Sequence, residues 1–278
     1  MNRSTNPLAN QRGTSILEVL VALVLTGMVT AAIFQTYITQ HRSYVIQDDI
    51  SEIQQSARAT IDQLTRQIRM AGFGLPQGVS PFEPGDGNGT PDTIAVTYRV
   101  GTCQAALSVD MASTSSDLET NDDVSCFVDG QWAYIYHPDS GGGEFFQISY
   151  VDVGTKRLQH TGSPFSEAYA KDALVIILDR VQFFITADND SNPQLMVQSL
   201  SLSPQVFAEN ISDIQFRYRI TNGTVVDQPI LLSDVREILI AVTGRSRHTG
   251  VGDVDADDYR YRTYESSVAL RNLNQAGS

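Results

Sequence analysis

The hydrophobic pattern at the start of the chain has two parts. Residues 16–34 are almost uniformly apolar, and further on the apolar side chains recur in steps of three and four, the period of a helix that buries one face. No proline interrupts this repeat, and Gly72 and Pro76 supply a stop. The pattern predicts one helix over residues 14–71, about 87 Å long at 1.5 Å per residue. Its first part, residues 14–38, is long and apolar enough to span a membrane.

Beyond this helix the hydrophobic period changes to two. Six runs of β-branched and aromatic residues are separated by turn residues, as expected for antiparallel strands. The runs are residues 93–100, 132–137, 144–151, 181–186, 214–220 and 235–242. The fifth run alternates apolar and polar residues, which predicts a strand with one solvated face, and the nearly all-apolar sixth run predicts a central strand. The chain is therefore predicted to be α+β, with residues 72–278 forming a large antiparallel β-rich head on the amphipathic half of the helix.

The charge distribution separates the amino end from the rest of the chain. The formal net charge is −13, from 19 basic and 32 acidic side chains. Residues 1–13 carry Arg3 and Arg12 and no acid, so the remainder has 17 basic and 32 acidic side chains, or −15. No nucleic-acid partner is expected for the head, because binding a phosphate backbone requires clustered Lys and Arg. The positive charge of residues 1–13 predicts that the amino end stays in the cytoplasm while the head is exported.

The chain has two cysteines, Cys103 and Cys126, and both follow the apolar segment. If that segment delivers the head to an oxidising compartment, we expect the pair to form a disulfide, worth roughly 3 kcal/mol in the chain-entropy model. The alternative is two reduced thiols in a cytosolic protein, which the export signal disfavours.

Glu18 is the one ionisable residue inside the apolar run, where a carboxylate costs a few kcal/mol. Two general interpretations of the run remain open. A secretory signal would be cut after the apolar stretch, near Ala32, and a plain transmembrane anchor would keep the whole segment. Neither interpretation accounts for Glu18.

The segment resembles the type IV prepilin signal. The resemblance lies in Arg12 and Gly13, the following Thr14, Glu18 at the fifth position after the cut, and the apolar residues 19–34. It implies that residues 1–13 are a leader, that a prepilin peptidase cuts after Gly13, and that the new amine on Thr14 is methylated. The family usually has Phe at the position of Thr14. In this family the carboxylate corresponding to Glu18 pairs with the terminal amine of a neighbouring subunit in the filament core.

Further segments resemble the PilW family of minor pilins. They are residues 57–74, 211–220, 235–247 and 261–272. This resemblance implies a type IV pilin-like fold and a low-copy subunit that helps to initiate a type IV pilus and lies near its tip. Its implied partners are other minor pilins, the major pilin, the prepilin peptidase and the inner-membrane assembly platform. The protein would reside in the inner membrane before assembly, with its amino end in the cytoplasm, and then on the pilus. A J-type pseudopilin of type II secretion and a non-polymerising, membrane-anchored binding protein or adhesin remain as alternatives.

Two acidic loops alternate oxygen-bearing side chains with glycine or small residues, as in loops that wrap Ca²⁺. Their candidate ligands are Asp86, Asn88, Thr90 and Asp92 in the first loop and Asp253, Asp255 and Asp257 in the second. The alternative for each loop is an acidic turn without a metal. No other cofactor is expected.

Catalytic constellations are not recognisable in the sequence. The histidines are scattered, and none lies beside Cys or Glu at metal-ligand spacing. They are His41, His137, His160 and His248. We expect them to be surface residues and the protein not to be an enzyme. Four arginines concentrate positive charge in the acidic head and predict either a docking patch for an acidic neighbour or a solvated strand end. They are Arg245, Arg247, Arg260 and Arg262.

Overall fold

A computed structural model describes residues 15–139, 142–188, 191–247, 249 and 259–272. Its first element is a single helix, α1 (Ile16–Arg69), of 54 residues. Ser15 caps the amino end through its Oγ, which accepts a hydrogen bond from the Leu17 amide at 3.3 Å. Beyond the last turn, Gly72 adopts a φ of +78°, which favours glycine. The predicted helix is confirmed to within two residues at each end.

The two halves of α1 have different surroundings. Residues 15–44 are exposed, and the helix contains an 18-residue window of mean hydropathy 2.4, none of it buried. It is therefore long and apolar enough to anchor the chain in a membrane. From Asp49 onward one face is buried, and the apolar residues of that face follow helical spacing. They are Ile53, Ala57, Ile61, Leu64 and Ile68.

Thirteen strands follow within the described residues. They are β1 (Phe82–Gly85), β2 (Thr93–Ala106), β3 (Asp117–Glu119), β4 (Trp132–Tyr136), β5 (Gly143–Asp152), β6 (Arg157–Thr161), β7 (Leu174–Ala187), β8 (Pro193–Gln198), β9 (Gln205–Glu209), β10 (Ile211–Ile220), β11 (Val225–Val226), β12 (Val235–Arg245) and β13 (Tyr261–Ala269). Each of the six predicted runs coincides with a strand, so the helix followed by a β-rich head is confirmed. A 3₁₀ turn, Leu232–Asp234, precedes β12.

The strands form two antiparallel sheets. The larger has nine strands in the order β1-β2-β7-β4-β5-β6-β3, and the hairpin β8-β9 joins it through β7. The smaller has four strands in the order β11-β10-β12-β13. In β10 the residues Ile214, Phe216 and Tyr218 are buried and Arg217 is exposed, which confirms the predicted solvated face. Strand β12 lies between β10 and β13, which confirms the predicted central position.

One hydrophobic core joins α1, the four-stranded sheet and the adjoining part of the larger sheet. Helix α1 contacts β12 and β13 directly. The approach is close at Gly244, where a Cβ would lie 2.8 Å from Ile53 Cγ2. A side chain at this position would push the helix away from the sheet, because neither the backbone nor a branched core residue has room to move.

A second core lies beyond the carboxyl end of α1. The Gly72 amide donates to the Thr97 carbonyl at 3.0 Å, and the Arg99 amide to the Phe73 carbonyl at 2.8 Å, which places the middle of β2 beside the helix end. The long strands β2 and β7 then continue into this second lobe, which also contains β3 to β6. The division of the head into two large cores and a smaller cluster, made of Leu75, Tyr134, Ile176 and Leu178, was not predicted.

A disulfide joins Cys103, which lies in the second core, to the exposed Cys126, with their Cα atoms 5.8 Å apart. The predicted pairing is confirmed. The bond links β2 to the loop that follows β3. It therefore cross-links two segments of the second lobe, and α1 is not part of the cross-linked segment.

Candidate functional site

The amino end of α1 holds Glu18 in the first turn of a bare apolar helix. With Ser15 as the N-cap, Glu18 occupies the third helical position, the spacing of a capping box. A carboxylate there also interacts favourably with the positive end of the helix dipole. The role of Ser15 as the N-cap was not predicted from the sequence, although Ser-x-x-Glu before an apolar run is a recognisable capping signal.

Glu18 is exposed and has no ion-pair partner among the described residues. It borders a shallow groove along one helix face, with Leu17, Val21 and Leu25 as apolar neighbours. The predicted cleavage residues Gly13 and Thr14 lie outside the described residues. Any countercharge for Glu18 would therefore come from outside the part of the chain that the structure describes.

A buried ion pair marks the point where α1 enters the head. Asp49 Oδ2 lies 3.5 Å from Arg260 Nη1, and the two side chains are only 1% and 3% exposed. Arg260 immediately precedes β13, and its backbone amide donates to Ser246 Oγ at 3.0 Å. The pair therefore couples the helix to the strand that packs on it.

The other three arginines of the predicted patch have partners of their own. Arg247 lies 3.4 Å from Glu52 and 3.6 Å from Glu209, and Arg245 stacks over the ring of Tyr259 at 4.1 Å. Arg262 donates to a backbone carbonyl of its own strand. Both predicted alternatives, a docking patch and a solvated strand end, are therefore wrong for Arg260, which is buried. Arg245 and Arg247 contact residues of the head and of α1.

The first acidic loop connects the two sheets. The Asp92 amide donates to the Ile214 carbonyl at 2.9 Å. The Asp92 carboxylate, almost buried, accepts from the Phe216 amide at 2.8 Å and from the Gly87 amide at 2.9 Å. Asp92 therefore forms the hydrogen bonds to β10 that a residue of a neighbouring strand would form. Its bond to the Gly87 amide also closes its own loop.

The remaining members of this loop also bond within it. Asp86 Oδ1 accepts from the Asn88 amide at 2.7 Å, and the Thr90 hydroxyl donates to the Gly87 carbonyl at 2.7 Å. The described residues contain no group of three His, Cys, Asp or Glu side chains arranged to hold a metal. The structure thus gives this loop a role in tying the sheets together, and Ca²⁺ binding stays a prediction. Asp253, Asp255 and Asp257 of the second loop lie outside the described residues.

His160 is not the surface residue that the sequence predicted. It is 7% exposed, its ring lies 4.3 Å from that of Phe165, and its Nε2 is 2.8 Å from the Ser115 carbonyl. His41 is exposed and stacks on Tyr37 one helical turn earlier. His248 lies outside the described residues.

The burial of two tyrosines perturbs their ionisation. Desolvation raises the pKa of Tyr218, and the nearby Asp92 charge raises it further. Desolvation likewise raises the pKa of Tyr169, whose hydroxyl donates to Glu144 at 3.1 Å. These tyrosines remain neutral in the folded head, so they have the properties of core residues.

Comparison with known proteins leaves the family undetermined. No protein-family model matches the chain, and no curated protein has a significantly similar sequence. A functional assignment therefore depends on the prepilin-like residues at the amino end and on the geometry of the helix and head.

Proposed function

We propose that this protein is a minor pilin, a low-copy subunit that helps to initiate a type IV pilus and is located near its tip. The observation that carries the proposal is one unbroken helix whose amino-terminal half is bare and apolar and whose carboxyl-terminal half is buried in a β-rich head. Such a helix has two environments available, a bilayer before assembly and a bundle of similar helices afterwards.

The length of the bare half supports a role beyond anchoring. Residues 16–44 extend about 43 Å at 1.5 Å per residue, whereas about 20 residues suffice to cross a bilayer. Residues 35–44 therefore separate the head from the apolar run by roughly 15 Å of exposed helix. In a filament, neighbouring helices would cover this segment as well.

Glu18 then has a role in assembly. Cleavage after Gly13 would place a positive amine on Thr14, four residues before the carboxylate. Neither charge is favourable alone in an apolar environment, and pairing removes much of the penalty. Apolar helices slide past one another at little cost, so a buried pair between subunits would penalise every wrong register. A subunit at the extreme tip has no subunit ahead to pair with, so Glu18 favours a place just below the tip.

The size of the head supports a minor rather than a repeating subunit. About 207 residues give an expected radius of gyration of roughly 17 Å, which is difficult to repeat at every step of a close-packed shaft. The same size favours a pilus subunit over a J-type pseudopilin, which has a smaller head.

The experiment replaces Glu18 by Gln or Val and measures recovery of the protein in sheared pili. Gln can still cap the helix, because a capping box accepts Glu or Gln at this position, but it carries no charge. Both variants should be cleaved and inserted into the membrane normally, and both should be depleted from pili and reduce pilus initiation. Ser15→Ala removes the cap and keeps the carboxylate, so it should be incorporated normally.

Normal incorporation and piliation with Glu18→Gln would contradict the pairing role. Loss with Ser15→Ala and Glu18→Val, together with normal incorporation of Glu18→Gln, would instead mean that capping is what matters. A protein that is never found in sheared pili, with or without these changes, would favour a membrane-anchored binding protein.

A further inference from the structure

Strand β13 forms one end of the four-stranded sheet. It pairs with β12 along its full length, from Tyr261 opposite Arg245 to Ala269 opposite Glu237, with no shift of register. Helix α1 contacts it as well. Its other edge, called here the free edge of β13, pairs with no strand in the part of the chain that the structure describes.

Two hydrogen bonds at the ends of this ladder identify the residues that bond to β12. The Leu270 amide donates to the Arg236 carbonyl at 3.0 Å, and the Ser246 amide donates to the Arg260 carbonyl at 2.8 Å. Hydrogen-bonded and non-hydrogen-bonded pairs alternate in an antiparallel ladder. The even-numbered residues of β13 therefore bond to β12, and the odd-numbered residues direct their amides and carbonyls to the free edge.

The central odd-numbered residues are Thr263, Glu265 and Ser267, and all three are exposed. Among the described residues, no backbone group donates to the carbonyls of these three residues or accepts from their amides. The free edge is thus a regular row of donors and acceptors at the spacing of an extended chain.

The other terminal strands of the two sheets are short among the described residues. Strands β1, β3, β9 and β11 have four, three, five and two residues, whereas β13 has nine. Proteins ordinarily protect edge strands by shortness, proline, bulges or charges. Strand β13 has no proline and no bulge, and Glu265 is its only charge among the residues that face the free edge.

We propose that the free edge of β13 accepts an extended segment of a different protein by β-strand addition, with a basic residue opposite Glu265. An extended backbone is the complement of such an edge. Glu265 has no ion-pair partner among the described residues, so a cation across the strand would complete it. A second copy of this chain fits less well, because pairing centred on Glu265 would oppose two carboxylates. This inference holds whether or not the protein is a pilin.

Amide hydrogen exchange on the full-length protein in detergent micelles tests the proposal. The probe is a nine-residue peptide of alternating Thr and Val with Lys at its centre, and the control peptide has Glu at that position. The Lys peptide should slow exchange at Thr263, Glu265 and Ser267 and leave the rest of the sheet unchanged. The Glu peptide should bind about fivefold more weakly, since a cross-strand charge pair contributes up to about 1 kcal/mol.

Two variants at one position separate the contributions of the edge. Glu265→Pro removes an amide that does not bond to β12, so it should abolish binding without unfolding the sheet. Glu265→Gln keeps the amide and should erase only the preference for the Lys peptide. Ala269→Pro, at the end of the same edge, is the second blocking variant if Glu265→Pro does not fold.

Three results would overturn the proposal. One is unchanged exchange at these amides with saturating Lys peptide. Another is strong protection in dilute protein alone, which would mean that the chain covers its own edge. The third is protection that rises with protein concentration, which would assign the edge to a second copy.

Discussion

Replacing Asp49 by Asn would leave the guanidinium of Arg260 buried without its carboxylate. Both side chains are almost completely buried, at 1% and 3% exposure, and breaking such a pair on one side costs about 3–5 kcal/mol. For a head of this size, each kcal/mol lowers Tm by about 2–4 °C. Thermal unfolding of the full-length protein in detergent, followed by near-UV circular dichroism, should therefore show a Tm lower by about 6–20 °C.

A matched control lies one helical turn away. Glu52 pairs with Arg247 at 3.4 Å, but these side chains are 41% and 56% exposed, and exposed pairs contribute at most about 1 kcal/mol. Glu52→Gln should therefore lower Tm by less than about 4 °C. Asp49→Leu combined with Arg260→Met should recover most of the loss caused by Asp49→Asn. Equal effects of Asp49→Asn and Glu52→Gln would refute the reasoning from burial.

Three further predictions concern the head. Asp92→Ala should lower the free energy of unfolding in urea by about 3 kcal/mol or more, because two amides lose a charged acceptor, whereas Asp86→Ala should change it by less than about 1 kcal/mol. Burial raises the pKa of Tyr218, so its contribution to the free energy of unfolding should be retained below pH 10 and should fall above it by about 1.4 kcal/mol per pH unit. Urea unfolding across that range should show a shallower fall in Tyr218→Phe. Serine at both Cys103 and Cys126 should cost about 3 kcal/mol and speed amide exchange in β4 and β5 while α1 stays protected.

Local periodicity was sufficient to predict the helix and six of the thirteen strands. The steps of three and four along α1 and the alternation along β10 reflect burial of one face, which each segment encodes by itself. The disulfide followed from the compartment implied by the apolar segment, and not from any local pattern around Cys103 or Cys126. The order of strands in the sheets was not predictable in this way, because register depends on contacts between distant segments.

The contacts of polar residues were not predicted where their partners are remote in the sequence. Arg260 was expected at the surface, in a docking patch or at a solvated strand end, but it is buried with Asp49, 211 residues away. The hydrogen bond from the Phe216 amide to Asp92, 124 residues away, was not predicted, while Ca²⁺ binding by the loop of Asp92 stays a prediction. His160 was expected at the surface but is buried against Phe146 and Phe165 of the second core. Buried polar groups require partners, and a single sequence does not reveal which residues supply them.

The mature amino end tests the central claim most directly. The proposed function requires removal of the leader on the cytoplasmic side of the apolar run, and Gly13 is the residue that fits such a cut. The intact mass of protein purified from the membrane should correspond to a chain that begins at Thr14, with or without one methyl group. A chain that retains residues 1–13, or one that begins after Ala32, would contradict the account.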